Sequence, residues 1–127
     1  MTHIAIIDDQ PLFRQGFIIL LQQLHYTVSI EAANGNDFID HLDHHPPPDL
    51  ILLDTRLKGM DSFTLMQWIK NNHPDIPVIA LHDKNDFHFL LQLLRAGATT
   101  HLLKTATPSI VRHTIQEVIS NITRRAK

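Results

Sequence analysis

Five short apolar runs alternate along the chain with five longer amphipathic stretches, and this alternation constrains the fold more than any other feature of the sequence. Strands interleaved with helical patterns pair in parallel and need a crossover helix between neighbours, so the expected class is α/β. The strand candidates are His3–Ile7, Thr27–Ala32, Leu50–Leu53, Val78–Leu81 and Thr99–Leu103. The third and fourth are unbroken apolar runs, as expected of strands covered by helices on both faces, and should be central. The expectation is a doubly wound parallel sheet of five strands with five helices, a single domain over residues 1–127.

The first helix is predicted from Pro11, whose fixed φ suits a first turn, to about His25, with Leu12, Gly16, Phe17, Leu20 and Leu24 at helical spacing. A second should run from about Asn36 to His44, stopped by Pro46-Pro47-Pro48. A third, Ser62 to Asn72, places Phe63, Met66 and Ile69 on one face. A fourth, Asp86 to Ala96, carries Phe87, Leu90, Leu91 and Leu94 and meets its stop at Gly97. The last begins at Thr107-Pro108 and turns Val111, Ile115, Val118 and Ile122 inward. The cationic tail Thr123–Lys127 suits a helix C-terminus and reads as the start of a linker.

Several function classes fall away. No apolar run approaches the roughly 20 residues a bilayer requires. The first residues reach Asp8-Asp9 at once and lack the build of a signal peptide, which points to the cytoplasm. The absence of cysteine removes disulfides, thiolate nucleophiles and cysteine-based zinc sites. A net charge of -2 without a basic stripe argues against binding DNA unaided. The ten histidines are unusual, because protonating all of them would move the formal charge from -2 to +8.

In an open doubly wound sheet, ligands bind beyond the carboxyl ends of the strands, where strand order reverses. Asp8 and Asp9 end the first strand, Asp54 the third, His82 and Asp83 the fourth, and Lys104 the fifth. Polar groups from four strands should therefore converge on one edge. Three adjacent carboxylates repel one another, and a hard divalent cation such as Mg²⁺ compensates that repulsion, with the lysine as a second positive charge. Such a site suits transient phosphorylation of the central carboxylate, since phosphoryl transfer depends mainly on positioning and charge neutralisation. No glycine-rich phosphate loop or serine nucleophile elbow competes with this reading.

The acid pair Asp8-Asp9, the segment Pro48-Asp49-Leu50-Ile51-Leu52-Leu53-Asp54, the turn Gly59-Met60-Asp61, the strand Ile76–Leu81 and the run Arg95-Ala96-Gly97-Ala98 leading to Leu102-Leu103-Lys104 together resemble the receiver domain of two-component response regulators. The Asp-Gln-Pro after the first strand and the Leu-Leu-Lys without a following proline are similar to receivers attached to LuxR-type helix-turn-helix regulators, a domain this chain does not contain. The resemblance implies a flavodoxin-like sheet of order 2-1-3-4-5. It also implies Asp54 as acceptor of a phosphoryl group from a sensor histidine kinase. Mg²⁺ would be held by Asp9, Asp54 and the backbone carbonyl of Arg56, with Asp8 acting through a water, and Lys104 would contact the phosphoryl oxygens. The implied output is a changed interaction or dimerisation surface regulating transcription, which makes the chain a signalling switch rather than an enzyme.

The sequence departs from the family at both switch positions. The Ser or Thr expected at the end of the fourth strand is His82, and the aromatic residue expected before the lysine is His101. A hydrogen bond to a charged group is worth about 1.5–3 kcal/mol, so losing the hydroxyl weakens the bias toward an active state about tenfold or more. Three readings follow: His82 donates to the phosphoryl group, the domain is a phosphorylation-independent interaction module, or His82 and His101 form a pH-sensitive pair. A small phosphatase-like hydrolase using Asp54 is a further alternative. Lys58 and Ser62 replace the Pro and Gly that often flank the Gly59 turn, which leaves that loop without its usual stiffening residues. Asp83 offers a partner for Lys104 or Arg56. His41, His44 and His45 have spacing suited to an adventitious Zn²⁺ or Ni²⁺. His88, Gln92, His113 and Gln116 are solvent-side candidates for docking.

Overall fold

The computed structural model describes the backbone of residues 1–126 and the side chains of residues 1–122. Its elements follow the order β1 (His3–Ile7), α1 (Pro11–Gln23), β2 (Thr27–Ala32), α2 (Gly35–Leu42), β3 (Leu50–Asp54), α3 (Ser62–Asn72), β4 (Val78–His82), α4 (Phe87–Arg95), β5 (Thr100–Leu103) and α5 (Pro108–Ala126). The five strands form one parallel sheet in the order β2-β1-β3-β4-β5, as expected. The two apolar runs became β3 and β4, buried at every position.

Strand side chains alternate between two faces, and the core divides accordingly. Ala5, Ile7, Ile51, Leu53, Val78 and Ala80 face Phe38 of α2, Leu65, Met66 and Ile69 of α3, and Leu90 and Leu93 of α4. Ile4, Ile6, Leu50, Leu52, Ile79, Leu81 and Leu102 face Phe17 and Leu21 of α1 and Val111, Ile115 and Val118 of α5. At about 1.5–3 kcal/mol for each fully buried large side chain, these two layers hold the sheet rigid beneath its carboxyl edge.

Three helical faces are rotated from those expected. Leu12 is 86% exposed and Leu21 takes the inward position on α1, Phe63 yields to Leu65 on α3, and Phe87 yields to Leu93 on α4. Leu12, Phe63 and Phe87 all lie in the first turn of their helices. Ile122, also expected inward, is 37% exposed near the end of α5. Boundaries differ where local hydrogen bonds decide them. Asn34 caps α2 by accepting from the Asp37 N–H at 2.8 Å, earlier than expected, and α1 ends before His25, whose φ of 70° leaves the helical region.

The α5 backbone continues through residue 126, into the stretch expected to open a linker, whose side chains lie outside the described residues. Among the described residues no helix is long and apolar enough to cross a membrane.

Candidate functional site at the carboxyl edge

Strand order reverses between β1 and β3, and there the cleft opens. It holds about 840 Å³ and is bordered by Asp9, Asp54, Arg56, Lys58, Asp83, Asp86 and Lys104 among others. Register sets the acids side by side, because Ile7 of β1 pairs with Leu53 of β3, so the next residues of both strands emerge together. Asp8 is fully buried and Asp54 nearly so, while Asp9 is half-buried. Oxygens of the three carboxylates all lie within 4.8 Å of one another.

Lys104 reaches into this cluster from β5. Its Nζ stands 2.8 Å from Asp8 Oδ2 and 3.4 Å from Asp54 Oδ1, donates to Gln10 Oε1 at 2.9 Å, and lies 4.7 Å from the centre of the Phe13 ring. Burial alone would lower the Lys104 pKa, but the neighbouring Asp8 and Asp54 outweigh it and hold the ammonium above its ordinary value. One lysine does not neutralise three acids. Burial, reinforced by Asp8, pushes Asp54 up to about 6, against the lowering effects of Lys104 and of the Arg56 N–H.

Backbone donors complete the frame. The Gln10 N–H donates to Asp8 Oδ1 at 2.8 Å, the Arg56 N–H to Asp54 Oδ1 at 3.2 Å, and the Lys58 N–H to Asp9 Oδ2 at 3.2 Å. Arg14 Nη1 donates to the Asp8 carbonyl and its Nε pairs with Glu31 at 2.7 Å, fixing the end of β1 against β2. Asp8 Oδ2 has no hydrogen bond of good geometry despite its close ammonium. A buried oxygen with unused acceptor capacity, beside two further carboxylates, is a donor set that fits a hard, oxygen-seeking cation.

Of the two switch-position residues, His82 was expected to contact a phosphoryl group, and it turns elsewhere. His82 does not border the cleft, because its Nδ1 faces the Asp83 carbonyl oxygen at 3.1 Å and its Nε2 faces His101 Nδ1 at 2.9 Å. Asp83 is exposed, and the carboxylate that takes Arg56 is Asp86, at 3.3 Å. Asp86 is a site residue that sequence reasoning treated only as a helix start. Gln10, which holds the Lys104 ammonium, likewise carried no signal beyond its place after the acid pair.

His41, His44 and His45 do not converge. His45 Nδ1 turns to the His41 carbonyl at 2.8 Å and His41 Nε2 lies 3.6 Å from Asp37. Among the described residues, the grouping able to offer three ligand atoms to one ion is Asp8, Asp9 and Asp54. Of the docking candidates, His88, Gln92, His113 and Gln116 are all exposed.

A family model described as the response regulator receiver domain matches residues 4–116. The transcriptional regulatory protein YdfI of Bacillus subtilis is 31% identical over 120 residues, covering 94% of this chain and 55% of that protein. The Fimbriae Z protein of Escherichia coli is 28% identical over 123 residues, covering 96% and 58% respectively. The chain thus spans about half the length of the curated relatives it matches. Among solved structures, a response regulator receiver domain protein from Clostridium thermocellum superposes with a TM-score of 0.86 at 20% identity, covering 95% of this chain and 96% of that one. NtrX of Brucella abortus reaches 0.91 at 19% identity, covering 99% of this chain and 29% of that one.

Proposed function

Because this chain belongs to the response regulator receiver domain family of two-component systems, we propose that it works as a phosphorylation switch with Asp54 as the acceptor. The observation that carries the reading is the position of Asp54, a buried carboxylate at the end of β3 set between Asp8 and the ammonium of Lys104.

In the proposed reaction a carboxylate oxygen of Asp54 attacks the phosphorus of a phosphohistidine on a sensor kinase. The new O–P bond forms as the P–N bond breaks, and the electron pair of that bond leaves with the imidazole, which takes up a proton. Lys104 holds the phosphoryl oxygens as their charge develops. The Arg56 N–H orients the Asp54 carboxylate, and Asp8 keeps Lys104 charged and in place. Asp9, Asp54 and the Arg56 carbonyl would hold Mg²⁺, with Asp8 one water away. Such an ion supplies charge neutralisation between the acids and the incoming phosphoryl group.

The output on this reading is a changed binding surface, not turnover of a substrate. A sensor histidine kinase is the proposed partner, and a homodimer the proposed output state. Regulation of transcription is the proposed output, in line with the name of the transcriptional regulatory protein YdfI, and contact with DNA would need a domain other than this one.

Intact-mass spectrometry after incubation with acetyl phosphate and Mg²⁺ tests the acceptor. One phosphoryl adduct on the native chain, lost in Asp54→Asn, is the expected result. No adduct under conditions where Mg²⁺ is shown to bind, with rapid hydrolysis excluded, would replace the switch by a phosphorylation-independent interaction module.

A further inference from the structure

Asp86 occupies the N-cap position of α4 without capping that helix. Its carboxylate is almost fully buried, and its partners lie outside the helix: Thr55 Oγ1 at 3.3 Å, Arg56 Nη1 at 3.3 Å and the Asp83 N–H at 3.1 Å. The N-cap of α4 is therefore tied to the two residues that follow Asp54. Resting on the phosphoacceptor reading, we propose that Arg56 is a second phosphoryl-holding cation kept in reserve by Asp86, and that its transfer to a phosphoryl group on Asp54 releases the start of α4.

The geometry favours such a transfer. The Arg56 side chain is 59% exposed, makes a single contact to Asp86 at the long end of the hydrogen-bond range, and rests over the Phe89 ring at 4.8 Å. Its own backbone N–H already donates to Asp54 Oδ1, so the residue that carries the guanidinium is anchored at the acceptor and borders the same cleft. A phosphoryl group brings close to two negative charges and three strong acceptor oxygens, and guanidinium binds such a group through two parallel N–H bonds. Asp86 offers it one charge and one bond.

The departure of Arg56 has a consequence at α4. Asp86 would remain buried with only the Thr55 hydroxyl and the Asp83 N–H as partners, and a buried carboxylate stripped of its cation is strongly disfavoured. Moving the first turn of α4 outward relieves it by letting water reach the carboxylate. Phe87 and Phe89, already partly exposed on that turn, would be re-presented by the movement. The coupling bypasses His82 and His101, whose facing nitrogens are engaged with each other.

Hydrogen-exchange mass spectrometry on the full chain, with the adduct counted by intact mass, tests the latch. With acetyl phosphate and Mg²⁺, amide exchange over Phe87–Leu90 should rise about threefold or more on the native chain. Arg56→Gln, which strips the buried Asp86 of its cation, should show the raised exchange before phosphorylation and no further rise. Asp86→Asn, a second variant should the first not fold, removes the charge that drives the release and should show no rise on phosphorylation, although the adduct forms. A native adduct with unchanged exchange at α4, or a full rise in either variant, would overturn the latch while leaving Asp54 as acceptor. No adduct on the native chain would instead overturn the acceptor reading, and the latch with it.

Discussion

His82 Nε2 lies 2.9 Å from His101 Nδ1, while His82 Nδ1 lies 3.1 Å from the Asp83 carbonyl oxygen. A carbonyl oxygen accepts only, so the network assigns a proton to His82 Nδ1. With both rings neutral, His82 Nε2 accepts and His101 Nδ1 donates.

Replacing His101 by Phe removes the donor and leaves the buried His82 Nε2 without its partner. The expected cost is about 1 kcal/mol at pH 7.5, read from urea denaturation. The pH dependence has a definite sign. Burial, and then the neighbouring His82, lower the His101 pKa below the ordinary 6.5, so the unfolded chain binds its proton first as the solution is acidified. The stability this histidine contributes is complete above about pH 6.5 and is lost as pH falls through the lower folded value. The melting temperature of the native chain should therefore drop more between pH 7.5 and 5.5 than that of His101→Phe. Equal slopes would show that the pair does not titrate with folding.

Lys104 is the cation that makes the acid cluster tolerable, since its side chain is buried between the fully buried Asp8 and Asp54. Lys104→Met keeps an apolar stem and deletes the charge that lies 4.7 Å from the centre of the Phe13 ring. Removing one partner of a buried ion pair typically costs about 3–5 kcal/mol, and a loss of that order is expected in EDTA. Addition of Mg²⁺ should restore part of it. A variant as stable as the native chain would mean that the acids protonate at little cost.

Asp54→Asn should act in the opposite direction. The carboxylate is held near pH 6 by burial and by Asp8, so above that pH the folded state carries an unfavourable charge that the unfolded chain carries freely. At about 1.4 kcal/mol for each unit of pKa, the amide should stabilise the metal-free protein by about 1–3 kcal/mol at pH 7.5. The gain should shrink when Mg²⁺ is present, because only the native carboxylate repays cation binding. Thermal melts with EDTA and with Mg²⁺ read both effects, and a destabilised variant would contradict the crowding argument.

The sheet and the convergence of Asp8, Asp9, Asp54 and Lys104 were legible in the sequence because they follow from periodicity and from one rule about strand ends, whereas the strand order came from the resemblance to receiver domains. An apolar run such as Leu50–Leu53 has one stable placement in an α/β sheet, and the acid that follows it must emerge at the edge. Helix faces were less legible. Leu12, Phe63 and Phe87 sit at helical spacing in the first turns yet are exposed, and spacing does not encode where a helix first touches the sheet. The Arg56–Asp86 contact joins residues 30 apart through two loops, and nothing periodic marks a loop-to-loop pair. The pairing of His82 with His101 was one of three readings open from the sequence, and it is compatible with β4 and β5 as neighbours, with Ala80 opposite His101. Their preference for each other over the cleft depends on ring nitrogens that no pattern specifies.

Ser62 stands where the family often has glycine, and with Lys58 in place of the usual proline the loop was expected to be less rigid. The structure shows a different device. Ser62 is buried, donates through Oγ to the Asp54 carbonyl at 2.6 Å and accepts from the Leu57 N–H at 2.9 Å, so one hydroxyl closes the loop that carries Arg56 and Lys58. Ser62→Ala leaves both backbone groups without that partner, and each buried group left unpaired costs about 1–3 kcal/mol. A destabilisation of about 2 kcal/mol is expected by urea denaturation, with faster amide exchange at Leu57 specifically. Ser62→Gly is the more informative comparison, because it restores the residue common in the family yet also deletes the hydroxyl. If the hydrogen bonds govern the loop, glycine will behave like alanine or worse; if backbone freedom governs it, glycine will recover native stability and Leu57 protection.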